Sequence, residues 1–243
     1  MNILGIIPAR FASTRFPGKP LAQIQGKSMI QRVFEQASLS TLLSEVVVAT
    51  DDNRIADEVS RFGGRFVMTA GTHISGTDRC AEVIKTLTGY DAVINIQGDE
   101  PYIDPLQIDL LSSCFEDHTV QLATLIKRID NQEDLFNESI PKVILNDRQE
   151  AIYFSRQTIP FIRNAIKGQW LKEGVFYKHI GIYGYTVRAL QDITELKPSS
   201  LELAESLEQL RWIEAGYRIK TRLTTIETLA IDTPEDLLKI NAL

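Results

Sequence analysis

The sequence predicts an α/β fold: a single Rossmann-like domain with a mostly parallel sheet and helices on both of its faces. In the first half of the 243-residue chain, apolar runs typical of buried strands alternate with segments of helical periodicity. Such alternation places successive strands side by side in one parallel sheet. No repeat, low-complexity tract or linker divides the chain. We therefore expect residues 1–243 to form one domain with a large core.

The elements of the first half can be assigned in order. Helices are expected where apolar residues recur at the spacing of one helix face, as in Ile30, Val33, Phe34 and Ala37. Asp51-Asp52 and Asp104-Pro105 are suitable helix starts, and Gly63-Gly64 is a suitable stop. The apolar runs that predict strands cover residues 3–7, 45–50, 65–69 and 92–96.

Over about residues 120–190 the alternation stops. Strand-like segments at 120–129, 142–146, 151–155 and 179–186 follow one another with few helical patterns between them. A compact doubly wound sheet does not need these extra strands. We interpret the region as a mixed-sheet excursion within the domain, suited to binding a second ligand and to a subunit contact.

Residues 201–215 have the periodicity of one helix with two faces. Leu203, Leu207 and Leu210 are expected to face the core. The opposite face carries Glu205, Glu208, Gln209 and Trp212. A purely solvated face rarely includes Trp, so this face is expected to line a pocket or to contact a partner. Periodicity does not distinguish these two possibilities.

The composition is that of an ordinary soluble protein, with 44% hydrophobic and 24% charged residues. A formal charge of −6 makes nucleic acid an unfavourable partner. Cys80 and Cys114 lack metal-ligand spacing and are expected to be buried free thiols. The first apolar run is too short for a signal sequence or a membrane span, so we expect a cytoplasmic protein that does not contact membranes.

The segment after the first strand, Pro8 to Pro20, carries the cations Arg10, Arg15 and Lys19. Ligands bind where buried parallel strands end, and these cations suit several phosphate groups. The segment is not a Walker A motif, because Lys19 is followed by Pro20 and the first Gly is missing. The alternative is a solvated basic loop.

Two aspartates come directly after apolar runs. Asp99 follows the strand at 92–96, where a carboxylate can hold Mg²⁺ against substrate phosphates. Asp232 precedes a predicted helix in which Thr233 is the N-cap, Pro234 the first residue and Asp236 part of a capping box. Taken alone, Asp232 would be interpreted as a turn residue or as a partner of the helix dipole. Together with the cationic loop, the pair predicts metal-assisted nucleotide chemistry.

Seven segments bear a resemblance that extends from about residue 3 to residue 240. In order and spacing they resemble the 3-deoxy-manno-octulosonate (Kdo) cytidylyltransferases: PARFASTRFPGKPL, HISGTDR, NIQGDEP, YFSR, KHIGIYGY, LEQLR and IDTPEDL. The resemblance implies a homodimer that uses Mg²⁺ and two substrates, CTP and Kdo. The anomeric hydroxyl of Kdo would attack the α-phosphate of CTP, giving CMP-Kdo for lipopolysaccharide synthesis and releasing diphosphate.

The resemblance also implies roles for individual residues. Lys19, Asp99 and Asp232 match catalytic positions, and the two aspartates match the metal ligands. The matching nucleotide-binding positions are Pro8, Ala9, Arg10, Arg15, Lys19, Ser75, Arg79 and Gln97. The matching sugar-binding positions are Gln97, Arg156, His179, Tyr183, Glu208 and Gln209.

Some alternatives remain open at this point. Without their flanking motifs, Arg156 would be interpreted as a surface residue and His179 as a structural one. The sugar could be an amino-substituted Kdo or a sialic acid. A non-catalytic nucleotide-binding module is a further alternative, although such a module does not need two metal carboxylates beside a lysine. No side chain stands out as a general base.

Overall fold

The structure is a computed structural model that describes residues 1–12, 16–227, 229–231 and 233–241, without the side chains of 239–241. Within these residues the α-helices are α1 (Met29–Ala37), α2 (Asn53–Arg61), α3 (Gly76–Thr86), α4 (Pro105–Ser112), α5 (Gln132–Phe136), α6 (Trp170–Glu173), α7 (Val187–Thr194), α8 (Ser200–Glu205), α9 (Gln209–Glu214) and α10 (Pro234–Asn241). The strands are β1 (Ile3–Ala9), β2 (Gln23–Ile24), β3 (Lys27–Ser28), β4 (Glu45–Thr50), β5 (Phe66–Met68), β6 (Ala92–Asn95), β7 (Leu122–Arg128), β8 (Lys142–Leu145), β9 (Ala151–Ser155), β10 (Tyr177–Thr186) and β11 (Ile219–Leu223).

Nine of the described strands form one sheet, in which seven follow the order β11-β7-β10-β6-β1-β4-β5. The strands β6, β1, β4 and β5 are parallel neighbours, so their carboxyl ends meet at one edge of the sheet. The strand β10 runs antiparallel to β6, β7 and β8, and β8 pairs with β9. The predicted α/β class and the mixed excursion are both confirmed.

Helices cover both faces of the sheet, as β1 shows. Ile3 and Ile7 pack with apolar residues of α1, α2 and α4. Leu4 and Ile6 point to the other face and pack with residues of α3, α7 and α9. This alternation follows from the two-residue period of a strand, and burial on both faces explains the continuous apolar run. Cys80 and Cys114 are buried and free, as predicted.

Most predicted helix starts are confirmed by side-chain caps. The carboxylates of Asp52 and Asp104 accept hydrogen bonds from the backbone N–H groups of Arg54 and Leu106. Before α10, Thr233 and Asp236 form the predicted reciprocal pair, in which each backbone N–H donates to the other side chain. Such caps satisfy the N–H groups that a helix start leaves unpaired.

The prediction of one helix over 201–215 is wrong. Ser206 adopts a left-handed conformation (φ 52°, ψ 48°) that separates α8 from α9. The break interrupts the helical period, so Leu203 is 70% exposed and does not join the core. Trp212 is fully buried and packs edge-on against Tyr183 and Tyr185. The Trp side chain is therefore part of the core, and only Glu208 of its predicted face lines a pocket.

Within the described residues, none of the helices combines the length and the apolar character that a membrane span requires.

Candidate active site

A cavity of about 320 Å³ opens where β1 and β6 end. The end of β1 contributes Pro8, Ala9 and Arg10 to its wall, and the loop after β6 contributes residues 97–99. The start of α3, Tyr183 of β10 and Glu208 before α9 add further parts of the wall. This is the edge at which open α/β sheets bind their ligands.

Gly98 lets the loop after β6 lie directly on the end of β1. A Cβ atom at this position would be 2.8 Å from the carbonyl oxygen of Pro8, which leaves no room for a side chain. The close approach brings Gln97 and Asp99 to the cavity on either side of the glycine. The Gln97 carboxamide donates to the carbonyl oxygen of Gly181 over 2.7 Å, so its orientation is defined.

Lys19 and Asp99 form an ion pair in the cavity wall, with 2.8 Å between Nζ and Oδ2. Lys19 Nζ also donates to the carbonyl oxygen of Ile231 over 3.0 Å. In turn, the Ile231 N–H donates to the carbonyl oxygen of Asp99 over 2.9 Å. Three segments that are distant in sequence, those of Lys19, Asp99 and Ile231, therefore meet at one point. The Asp99 side chain remains 28% exposed and is accessible to a ligand.

Gly18 gives Lys19 its position. This glycine has φ 71°, and a Cβ atom would be 3.1 Å from the ring of Phe11. Its N–H donates to the Phe11 carbonyl oxygen over 3.0 Å, which brings the two ends of the cationic loop together. Arg10 is exposed and lines the cavity. The predicted site residues Arg15 and Asp232 lie outside the described residues.

Ser75 and Arg79, both predicted to bind nucleotide, belong to the start of α3. The Ser75 hydroxyl caps the helix by accepting from the Asp78 N–H. The guanidinium of Arg79 is buried. It donates to the Thr69 hydroxyl after β5, and over 3.3 Å to the Asp51 carboxylate after β4. Arg79 therefore stiffens the cavity wall as well as lining it.

The loop before α3 adds residues that the sequence did not single out. His73 lines the cavity and pairs with Glu82, and this contact holds the pKa of the Glu82 carboxyl below its usual range. Ile74 is 91% exposed at the same wall. Both residues lie within the segment HISGTDR, so the motif contained the signal without indicating which side chains face the ligand.

Glu208 lines the cavity beside the start of α3. Its Oε2 accepts a hydrogen bond from the Thr77 hydroxyl over 2.8 Å, and burial raises the pKa of this carboxyl. Tyr183 lies beside it, and its hydroxyl has no hydrogen-bond partner among the described residues. A register shift between Ile180 and Tyr183 in the β10–β7 pair accompanies this placement, since such irregularities redirect side chains.

The remaining sugar-binding candidates do not line the cavity. His179 Nε2 shares a hydrogen bond with Thr124 Oγ1 over 2.9 Å. The ring packs edge-on against Phe154. Burial lowers the pKa of His179 to about 3, so its imidazole is neutral. Gln209 is buried, and its Nε2 has no partner within the described part of the chain.

Arg156 holds the backbone at the break between α8 and α9. Its Nε donates to the carbonyl oxygen of Glu205 over 2.7 Å, and Nη2 donates to that of Ser206 over 3.3 Å. The Glu205 carboxylate accepts from the Arg156 backbone N–H over 2.9 Å. Arg156 thus supports the turn that precedes Glu208, and its contact with a substrate carboxylate stays a prediction.

Comparisons with known proteins agree with this architecture. A family model described as cytidylyltransferase matches residues 4–223. The 3-deoxy-manno-octulosonate cytidylyltransferase of Cytophaga hutchinsonii is 58% identical over 242 residues, which cover 99% of this chain and 96% of that protein. The corresponding protein of Parabacteroides distasonis is 55% identical, with 98% and 96% coverage.

A solved structure of CMP:2-keto-3-deoxy-manno-octonic acid synthetase complexed with CTP superposes with a TM-score of 0.93. It is 43% identical and covers 100% of this chain and 98% of its own. The chain therefore belongs to the 3-deoxy-manno-octulosonate cytidylyltransferase family.

Proposed function

We propose that the chain transfers a cytidylyl group from CTP to Kdo, giving CMP-Kdo and diphosphate. The observation that carries this proposal is the Lys19–Asp99 pair, which lies in the wall of a cavity that Gln97, Tyr183 and Glu208 also line. The ion pair suits phosphates and a metal ion, and the other polar side chains suit a hydroxyl-rich molecule.

The cationic end would bind and orient the triphosphate. Arg10 offers a planar fork for phosphate oxygens, and Lys19 offers a compact charge. Cytidylyl transfer depends on positioning and on neutralising the charge at the α-phosphorus. The ion pair holds Lys19 in place before the nucleotide arrives, so little ordering is required on binding.

The oxygen donors at this end suit Mg²⁺. Asp99 presents a partly exposed carboxylate, and we propose Asp232 as the second ligand, because Ile231 is hydrogen-bonded beside Asp99. Mg²⁺ accepts few protein carboxylates and takes its other ligands from water and phosphates. When bound, it would neutralise phosphate charge and lower the pKa of the attacking hydroxyl. Lys19 would bind the phosphate oxygens, and Asp99 would hold the ion.

The polar end would hold the sugar acid. Gln97, Tyr183 and Glu208 line the cavity there and offer donors and acceptors for hydroxyl groups. Arg156, His179 and Gln209 lie behind this wall, so we propose that they support it. A direct contact of Arg156 with the Kdo carboxylate would require the guanidinium to leave the carbonyl oxygens that it now contacts.

The experiment that tests the proposal is diphosphate release with Mg²⁺, using CTP and a panel of sugar acids. We expect turnover with Kdo, and much slower turnover when UTP, ATP or GTP replaces CTP, because a site that pairs one base leaves its polar groups unpaired with another. Faster turnover with sialic acid or amino-substituted Kdo would support those alternatives. Binding of CTP without turnover on any sugar acid would support a non-catalytic module.

We also propose a homodimer formed through the excursion. Phe161, Ile166 and Val175 are large exposed apolar side chains on one segment of that region. Clusters of exposed apolar residues commonly mark protein contacts. The proposed setting is the cytoplasm, where the product would supply lipopolysaccharide synthesis.

A further inference from the structure

Asn95 ends β6 in the cavity wall and is only 4% exposed. Its carboxamide oxygen, Oδ1, has no hydrogen-bond partner among the described residues. Buried polar side-chain atoms are normally paired, and exceptions call for a specific explanation. An unpaired acceptor in the wall of a binding cavity favours a ligand that brings a donor to it.

The nearby hydroxyl groups do not supply a donor to Oδ1. The Asn95 side chain lies near the Tyr185 hydroxyl and opposes the rise that burial causes in the pKa of Tyr185. The Tyr185 hydroxyl lies 3.5 Å from Thr77 Oγ1, and Thr77 donates to Glu208. This series of hydroxyls ends on a carboxylate, which only accepts when ionised. The hydroxyl protons are therefore directed toward Glu208, and Oδ1 is left without a donor among the described residues.

The neighbours of Asn95 indicate the kind of ligand. Tyr183 is its direct partner in the antiparallel pair of β10 and β6, and the Tyr183 hydroxyl is also unpaired within the described ranges. Glu208 adds a carboxylate to the same wall. Several separate acceptors suit a molecule with several hydroxyl groups. The donors of a cytosine edge all belong to one amino group, so they suit acceptors that are spread along a wall less well than separate hydroxyl groups do.

We propose that Asn95 is a specificity-determining residue whose Oδ1 accepts a hydrogen bond from a hydroxyl group of a bound carbohydrate. The inference rests on the proposed function, which brings two carbohydrates to this cavity: the sugar acid and the ribose of CTP. A ligand that displaces water from Oδ1 must supply a donor in its place or lose affinity.

The test uses Asn95→Leu, which removes the acceptor and leaves no space for a compensating water molecule, and Asn95→Ala as a second, smaller variant. The matched control is Gln107→Leu. Gln107 is also buried with an unpaired carboxamide oxygen in the described chain, but it does not line the cavity. We expect about a tenfold rise in the KM of one substrate for the Asn95 variants and no change for the control. Melting temperatures measured for all three show whether each is folded.

Deoxy analogues identify the hydroxyl group. Wild-type kcat/KM is compared with that of Asn95→Leu for Kdo analogues that each lack one hydroxyl, for 2′-deoxy-CTP and for 3′-deoxy-CTP. If the wild type discriminates against one Kdo analogue and the variant does not, Asn95 contacts the sugar acid. The same result with a deoxy-CTP assigns the contact to the ribose. Either result supports the proposal.

Three results would overturn it: unchanged discrimination in both Asn95 variants, an equal effect in Gln107→Leu, or altered selectivity between CTP and UTP. Wild-type turnover with Kdo is measured in the same assay. Its absence would contradict the proposed function, whereas wild-type turnover with unchanged Asn95 variants contradicts only the role of Asn95.

Discussion

Lys19 and Asp99 are 80 positions apart in sequence, yet Lys19 Nζ lies 2.8 Å from Asp99 Oδ2. The contact joins the loop after β1 to the loop after β6, and both are bonded to the backbone of Ile231. Because each loop leaves the same edge of the sheet, the ion pair is a consequence of parallel pairing between β1 and β6. It brings the proposed phosphate-binding cation next to the proposed metal-binding carboxylate.

Replacing Asp99 by Asn should reduce kcat by about 100-fold or more, equivalent to about 2.7 kcal/mol in the activation free energy. The substitution retains the shape of the side chain and removes the charge that would hold Mg²⁺. The melting temperature should change little, because the carboxylate is partly exposed. Steady-state kinetics at saturating Mg²⁺ give the result.

Asp232→Asn should behave in the same way, and the double variant should be little slower than either single one, since both residues would act through one ion. Near-full activity of either single variant at saturating Mg²⁺ would remove that residue from the proposed metal site.

Gly98→Ala should destabilise the fold and reduce activity together. The new methyl group would meet the Pro8 carbonyl oxygen at 2.8 Å, so β1 and the loop carrying Asp99 must move apart. Overpacking of this kind typically costs about 1–3 kcal/mol in the free energy of unfolding. Gly181→Ala is the matched control, because a Cβ atom there has no neighbour within 4 Å. Equal urea midpoints for the two variants would contradict the argument.

Arg156→Ala should raise the KM for Kdo more than the KM for CTP and should also lower the melting temperature. The guanidinium binds the carbonyl oxygens of Glu205 and Ser206, and these residues position the turn before Glu208. Arg156→Lys retains the charge but cannot make these contacts together. A loss of stability in both variants, with a KM effect only in Arg156→Ala, would favour a direct contact with the Kdo carboxylate. A selective rise in the KM for CTP would instead place Arg156 in the nucleotide subsite.

Acid should destabilise the protein partly through His179. Burial lowers its pKa from 6.5 to about 3 in the folded state. As pH falls below about 6.5, the unfolded state takes up a proton that the folded state does not, so the free energy of unfolding decreases. We expect His179→Gln to lose less stability between pH 7 and pH 4.5 than the wild type. His118→Gln is the matched control at an exposed histidine.

The excursion should mediate dimer formation. Light scattering at micromolar concentration should give a dimer for the wild type. Phe161→Asp combined with Ile166→Asp should give a monomer that remains folded, because both side chains are exposed in the single chain. Leu106→Asp is a control at an exposed apolar residue of α4, outside the excursion. A wild-type monomer would contradict the proposed assembly.

The sequence by itself determined the α/β class, the helix caps at Asp52, Asp104 and Thr233, and the placement of the loops after β1 and β6 at one edge of the sheet. These properties depend on local patterns: apolar runs, capping residues and polar residues that directly follow a strand. The motifs were also sufficient to indicate the family, because their order and spacing extend along nearly the whole chain. The roles of the individual site residues, Arg15 and Asp232 among them, remain predictions from the sequence.

Only the tertiary structure decided which side chains share the cavity. Tyr183 and Glu208 line it, whereas His179 and Arg156 do not. The difference arises from the register shift in β10 and from the left-handed Ser206, and neither is visible in hydrophobic periodicity. The unpaired oxygen of Asn95 was likewise hidden in the sequence. Whether a polar atom has a partner depends on residues that are distant in the chain, and only the packed fold brings them together.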